Sequence, residues 1–449
     1  MELKNFFKNK FFSKICFFSA TIILIIAIIN PLNIFSNFPK NLIYLVICLY
    51  VISFLSLFIN RNLDIYLTII SASFLTSIYL AEFYLAYTNF NYVQKYENIL
   101  NKKENSGISF DNRSKYKIYN DLMKENPNIV IAVPPLSYLF SGNISRNISL
   151  FPLSGISNSQ TIHCNESGFY SIYKSDRYGF NNPDNQWNKK KIDLILLGDS
   201  FTHGACVNRP NDIASNLRNN YNLNVLNLGY SANGPLIEYA TLKEYFRVGF
   251  ENIVWIFFEG NDISDFKFEK TNSILNNYLE DNNFEQDLKN KQSKIDILNK
   301  EIILNEKKFY FKKFIKLGNL RDLVKNSNNQ IIDKKINHKS VINDNDVIDF
   351  IEIILKTREF CEKNNLNYYF VYLPDTKRIL DNKYENNTYK QIKSKLKNNG
   401  VNFIDLKNTI YDDNDYILEY FPFGQIKYHF NEKGYARIAK EIYKFIYEK

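Results

Sequence analysis

Asp193-Leu-Ile-Leu-Leu-Gly-Asp-Ser-Phe-Thr-His-Gly204 is the stretch on which the reading of this chain turns. It is an apolar run closed by Gly198-Asp199-Ser200 and followed by a polar loop and a helical pattern. That is how a strand buried on both faces of a parallel sheet reads. In open α/β sheets, ligands bind just beyond the carboxyl ends of the strands. Ser200 is therefore placed where chemistry is usually done. A serine hydroxyl is a weak nucleophile until a base and an oxyanion site surround it. The remaining sequence has to supply both.

From residue 191 onward the pattern alternates. Strands are expected at Ile192–Leu197, Asn224–Leu228, Ile253–Phe258, Tyr368–Leu373 and Val401–Leu406. Helical periodicity lies near 234–248, 347–363, 385–398 and 431–447. Such alternation predicts an α/β fold with a parallel sheet and right-handed crossovers. It stops at 265–345, which is charged, Asn-rich and too long for an ordinary loop. That block is expected to be an inserted helical cap beside the site, or a solvated excursion with no role.

Four strand ends or helix starts carry residues that acyl transfer needs. The tight turn at Gly198-Asp199-Ser200 can aim the Ser200 N–H at a developing oxyanion. Asn227-Leu-Gly-Tyr-Ser-Ala-Asn-Gly234 follows the second strand and can expose another backbone N–H. Glu259-Gly-Asn-Asp262 follows the third, with the Asn261 amide as a further donor. Tyr428-His429-Phe430-Asn431 opens the last helix, with Gly434 inside it, and a histidine there can take and return the serine proton.

In order and placement these segments resemble blocks I, II, III and V of the SGNH (GDSL-type) hydrolases, over roughly residues 190–447. The resemblance implies a flavodoxin-like, three-layer sheet and a site acting on esters, often acetyl groups on sugars. It implies Ser200 as nucleophile, His429 as base, and Ser200, Ala232 and Asn261 as oxyanion donors. Three positions depart from the family. Ala232 stands where block II has glycine, and Glu259 stands where glycine opens block III. The acid expected three residues before the base is Ile426. A backbone carbonyl or a distant acid must then orient the His429 Nδ1–H, or activity is weak. Loss of that carboxylate costs about four orders of magnitude in one well-studied triad. His203 is an alternative base on the nucleophile's own loop, and Asp199 reads as a turn residue. His163 and His338 read as surface or core.

Ahead of this domain lie three uncharged runs, Ile15 to Phe35, Leu42 to Ile59 and Ile65 to Ala81, each about long enough for a bilayer core. No small-residue cleavage site closes the first, which argues against a removed signal peptide. Lys4, Lys8, Lys10 and Lys14 precede the first run and Arg61 lies in the second connection, so both are expected on the cytoplasmic side. The reading is 1–88 as a membrane anchor of three transmembrane helices, 89–127 as a linker ending in a helix near 116–124, 128–190 as a turn-rich region packed on the main domain, and 191–449 as the α/β domain. Such an anchor in a bacterial inner membrane puts the domain in the periplasm.

The chain has 449 residues and a net charge of +9 from 56 basic and 47 acidic residues. The lysines are scattered among Asn, Ile and Tyr and form no dense stripe, so the excess does not read as nucleic-acid binding. Of five cysteines, Cys16, Cys48 and Cys361 lie in apolar or helical patterns. Cys164 and Cys206 lie in the polar part and would join as a disulfide in an oxidising compartment, or stay free thiols in a reducing one. No metal-ligand spacing and no phosphate-cradling glycine loop appears, so no cofactor is expected. The expected partners are the membrane and an acylated glycan or lipid ester. Three activities fit: a serine esterase, an O-acyltransferase of polysaccharide decoration, or a glycan-binding module for which the missing acid is the clue.

Overall fold

A computed structural model describes residues 12, 14–19, 21, 40–88, 110–140, 149–324, 344–375, 387–407, 417–424 and 429–448. The chain divides into two compact units, residues 1–94 with 305–336, and residues 95–304 with 337–449.

In the first unit, Pro39 and the polar stretch at Asn60–Asn62 bracket the helix Lys40–Ser56, and a second helix runs Arg61–Thr88. Within it, Asn62–Thr88 is 27 residues and contains an 18-residue stretch with a mean hydropathy of 1.5; the helix is about 40 Å long at 1.5 Å per residue, enough to cross a bilayer core. Among the described residues it is one such helix, where the sequence predicts three. The helix over most of the second expected span, Lys40–Ser56, is 17 residues long, with a shorter apolar stretch at Ile47–Ser56. The first expected span lies mostly outside the described residues. The third does not stop at Glu82, because that carboxylate is not left facing lipid. It is fully buried and accepts the N–H groups of Asn319 (2.9 Å) and Leu320 (2.8 Å). The described residues 305–324 thus group with the N-terminal helices, so the 265–345 block is divided between the two units.

The second unit is built on a five-stranded parallel sheet. Its strands are β4 (Ile192–Gly198), β5 (Val225–Asn227), β6 (Phe250–Phe258), β7 (Asn367–Leu373) and β8 (Asn402–Asp405), in the order β5-β4-β6-β7-β8. Counted along the chain this is 2-1-3-4-5, the doubly wound order whose switch point lies beside the first strand. Alternate residues feed two separate cores. Ile195, Leu197, Ile253, Trp255, Phe257 and Phe370 pack to one side, with the helices Pro235–Tyr245 and Asp344–Lys363. Leu194, Leu196, Val254, Ile256 and Val371 pack to the other, with Ile213–Tyr221 and Glu432–Tyr447. Both faces are covered, which is why the strands read as unbroken apolar runs.

Residues 128–190 are less irregular than their turn content suggests. They form a small sheet in which β1 (Ile129–Ile131) pairs parallel with β2 (Gln160–Ile162), and β2 antiparallel with β3 (Ile172–Lys174). Val130, Ile131, Phe151 and Phe180 join the first core. The helices Asp262–Glu269 and Ser273–Glu280 join it too, through Phe266, Leu275 and Tyr278. The early part of the 265–345 block is therefore core rather than lid, because its apolar face has a sheet-bound helix to pack on.

Candidate active site

The turn after β4 exists because of Gly198. Its φ is +148°, and a Cβ there would lie 2.2 Å from Thr202 Oγ1 and 2.6 Å from the Ile256 carbonyl. Asp199 follows as the helix N-cap, accepting the Phe201 N–H at 2.9 Å, and its other oxygen lies 3.2 Å from Ser200 Oγ. Burial pushes the Asp199 carboxyl above its usual range. Ser200 starts the short helix, half-buried, and its N–H has no partner among the described residues.

His429 is delivered by the helix Glu432–Tyr447. Asn431 caps that helix by accepting the Gly434 N–H at 3.1 Å. A Cβ on Gly434 would stand 2.7 Å from Phe430 Cβ, so the glycine lets the residues before the helix fold close onto it. His429 Nε2 then lies 2.8 Å from Ser200 Oγ. These residues are 229 apart in sequence and meet because β4 and the last helix share one end of the sheet.

The orienting acid is Glu166. Its carboxylate oxygens lie 3.1 and 3.2 Å from His429 Nδ1, and one accepts the His429 backbone N–H at 2.7 Å. With Nδ1–H donating to Glu166, Nε2 is left as the acceptor for the serine hydroxyl. Burial alone would lower the His429 pKa, but the Glu166 carboxylate, with Asp199 behind it, outweighs burial and the pKa lies above the ordinary value. Sequence spacing missed Glu166 because it precedes the base by 263 residues. Position 426, where the acid was expected, lies outside the described residues.

A signal for Glu166 was present. Cys164 and Cys206 form a disulfide, which ties the turn carrying Glu166 to the loop just after the Ser200 helix. Glu166, Asp176 and Asp184 are the acids of residues 128–190, and the other two have structural partners. Asp176 accepts from Trp187 and Asn182, and Asp184 pairs with Arg177. Glu166, Cys206 and His429 bring ligand-type atoms within 4.8 Å of one another. The Cys206 sulfur is bonded to Cys164, and Nδ1 is bound to Glu166, so this donor set suits proton handling rather than a metal.

The proposed oxyanion donors divide. Ala232 adopts φ +58°, the left-handed conformation that glycine takes freely and alanine at a cost of about 1–2 kcal/mol. Its N–H has no partner among the described residues. Asn261 reaches the end of β6, and its Nδ2 donates to Asp265 Oδ2 at 2.7 Å. That bond uses one of the two amide N–H donors, and the other is what Asn261 can offer an oxyanion. The spacing of Asn261 and Asp265, four residues apart at a helix start, was the sign of that bond. Glu259 accepts the Asp375 N–H at 3.0 Å.

The other histidines have structural duties. His203 is fully buried and does not bond Ser200. Its Nδ1 accepts the Ser231 N–H at 3.2 Å, so Nε2–H donates to the Tyr173 hydroxyl at 2.9 Å. Burial pulls its pKa down to about 3. His163, read from sequence as surface or core, is buried, with its ring 4.2 Å from that of His203 and its Nε2 2.6 Å from Ser231 Oγ. Together they brace the turn that presents Ala232. His338 lies outside the described residues.

No protein-family model matches the chain, and neither does any curated protein. A solved structure from Desulfitobacterium hafniense DCB-2, described as a lipolytic protein of the G-D-S-L family, is similar at a TM-score of 0.30 and 15% identity, over 57% of this chain and 100% of its own.

Proposed function

We propose that this chain is a membrane-anchored, SGNH-type serine esterase that moves an acyl group, such as acetyl, from an envelope glycan or lipid ester to water or to another hydroxyl. The observation that carries this reading is the relay Ser200 Oγ, His429 Nε2, His429 Nδ1 and Glu166, with heavy-atom distances of 2.8 and 3.1 Å. It removes the main clue for a non-catalytic module, the missing acid. His429 takes the Ser200 proton as Oγ attacks the ester carbonyl. The N–H groups of Ser200 and Ala232 hold the oxyanion, joined by the second N–H of the Asn261 amide. His429 then protonates the leaving alcohol, and an incoming water or hydroxyl reverses the sequence to release the acyl group.

The outer face of a bacterial inner membrane is the proposed location. Lysines cluster before the anchor and Arg61 opens the helix that ends at Thr88. An odd number of spans, one or three, carries the α/β unit to the opposite side, where a disulfide persists. Hydrolysis of p-nitrophenyl acetate by the full-length protein in detergent micelles tests the reading. A burst of nitrophenolate that disappears in Ser200→Ala supports it, and turnover unchanged in Ser200→Ala refutes it. Adding a sugar acceptor and analysing the product separates transfer from hydrolysis.

A further inference from the structure

We infer that the Cys164–Cys206 disulfide is a positioning element of the site: it holds Glu166 against His429, and its reduction weakens the relay. The inference rests on the reading of Ser200 and His429 as catalytic groups. Ser200 and His429 are placed by the main sheet and its covering helix. Glu166 is not, since it rides on the turn joining β2 to β3 in the smaller sheet.

The bonds within that turn point back upstream. Asn165 Oδ1 accepts the Gly168 N–H at 3.0 Å, Asn165 Nδ2 donates to the Asp111 carbonyl at 2.8 Å, and the Asp111 N–H donates to the Gly168 carbonyl at 2.7 Å. The strands beside the turn are secured across the gap by Asn208 on Ile172 and Arg209 on Lys174. Among the described residues, the crossings made by residues 164–166 to the nucleophile's side are the disulfide and the bonds of Glu166 itself.

The turn also borders an open cavity of about 450 Å³ lined by Ser167, Phe169, Val207 and Pro422. Once unbridged it has room to swing, taking a carboxylate from a largely desolvated seat to water. Cys206 Sγ lies 4.0 Å from His429 Nδ1, so a freed thiol stands where it competes with Glu166 for that nitrogen.

The chemistry is a two-electron exchange with a dithiol. One thiolate of the reagent attacks the half-buried Cys164 sulfur, and Cys206 leaves and takes up a proton. The reagent's second thiol then displaces Cys164, leaving two protein thiols and a cyclic disulfide. His429 is faced by Glu166 and Asp199, both raising its pKa, and His163 and His203 lie near it as neutral rings. Detaching Glu166 therefore lowers the His429 pKa while degrading its orientation.

The test is the rate at which a fluorophosphonate modifies Ser200 in full-length protein in micelles, followed against pH. Dithiothreitol treatment, or Cys164→Ser with Cys206→Ser, is expected to slow the plateau about 10- to 100-fold, the cost of misplacing a catalytic group by about 1 Å. The acid inflection is expected to move to lower pH, and reoxidation to restore both. In a Glu166→Gln background, loss of the bridge is expected to add nothing, because the two changes act through one contact. An unchanged rate after confirmed reduction, or a full penalty persisting in Glu166→Gln, overturns the inference: the bridge then serves stability alone. Should the double serine variant fail to fold, reduction and reoxidation of the folded wild type decide. If oxidised wild type is not modified at Ser200, the esterase reading itself fails and this inference goes with it.

Discussion

Replacing Glu166 by Gln keeps the shape of the side chain and changes what it can do at three contacts. The carboxylate accepts from the His429 backbone N–H at 2.7 Å and faces Nδ1 with oxygens at 3.1 and 3.2 Å. An amide has one oxygen where the carboxylate has two. An amide oxygen seated 2.7 Å from the backbone nitrogen and 3.1 Å from Nδ1 can accept from both, but the NH₂ then stands in the other oxygen's place, 3.2 Å from Nδ1. That donor disfavours the Nδ1–H and draws the ring's proton toward Nε2, which then no longer accepts from Ser200. A charge-assisted bond is lost as well, worth about 1.5–3 kcal/mol. The expected fall in kcat/KM is about 10³- to 10⁴-fold, or about 4–5.5 kcal/mol of barrier at 1.36 kcal/mol per decade. The pH dependence has a definite sign. Activity needs His429 unprotonated and so rises through its pKa. Glu166 holds that pKa above the ordinary value, against burial, so Glu166→Gln moves the acid limb to lower pH while the plateau drops. Initial rates on p-nitrophenyl acetate between pH 4 and 9 read both effects. A variant within threefold of wild type, with its acid limb unmoved, refutes Glu166 as the orienting acid.

Three further outcomes are expected. His203 is held neutral to about pH 3 by burial, whereas an unfolded histidine protonates near 6.5. Its folded pKa is depressed, so its contribution is intact above about 6.5 and is lost as pH falls toward 3, at up to about 1.4 kcal/mol per pH unit. Denaturant melts of His203→Gln, which can still accept from Ser231 and donate to Tyr173, should show a shallower acid decline, and an identical slope contradicts this. Ala232→Gly relieves the left-handed alanine at φ +58°, against glycine's extra flexibility when unfolded. Stability should stay level or rise by up to about 1 kcal/mol, with activity within about twofold, and a loss of activity beyond tenfold contradicts it. Gly198→Ala drives a Cβ against the Ile256 carbonyl and Thr202 Oγ1, and should cost about 3 kcal/mol or more by thermal melt.

The fold was legible where it depends on local pattern. The runs at Ile192–Leu197 and Ile253–Phe258 are apolar on both faces, and a turn follows each, so strand, direction and site edge could be read together. The histidine at the start of the last helix was legible through its pattern with Asn431 and Gly434, which resembles block V. Glu166 was not, because its link to His429 is made by the packing of a second small sheet, which no spacing within residues 421–428 reveals. The cysteines were the bridge to it: taken as a bond, Cys164–Cys206 brings the Cys-Asn-Glu stretch to the nucleophile's loop. The core role of Phe266, Leu275 and Tyr278 was not legible because charge and Asn content look the same on a solvated cap and on the outer faces of helices whose inner faces are buried. Buried Asp64 and Glu82 likewise interrupt the apolar composition of the N-terminal helices while accepting N–H bonds from Phe12 and from Asn319 and Leu320.

Peptide mass spectrometry of the full-length protein after brief exposure to a fluorophosphonate tests the central claim most directly. The adduct is predicted on Ser200, forming in proportion to the unprotonated His429 and reduced at least 10³-fold in His429→Ala. An adduct on another residue such as Ser231, or one that forms on Ser200 equally fast without His429, contradicts the account.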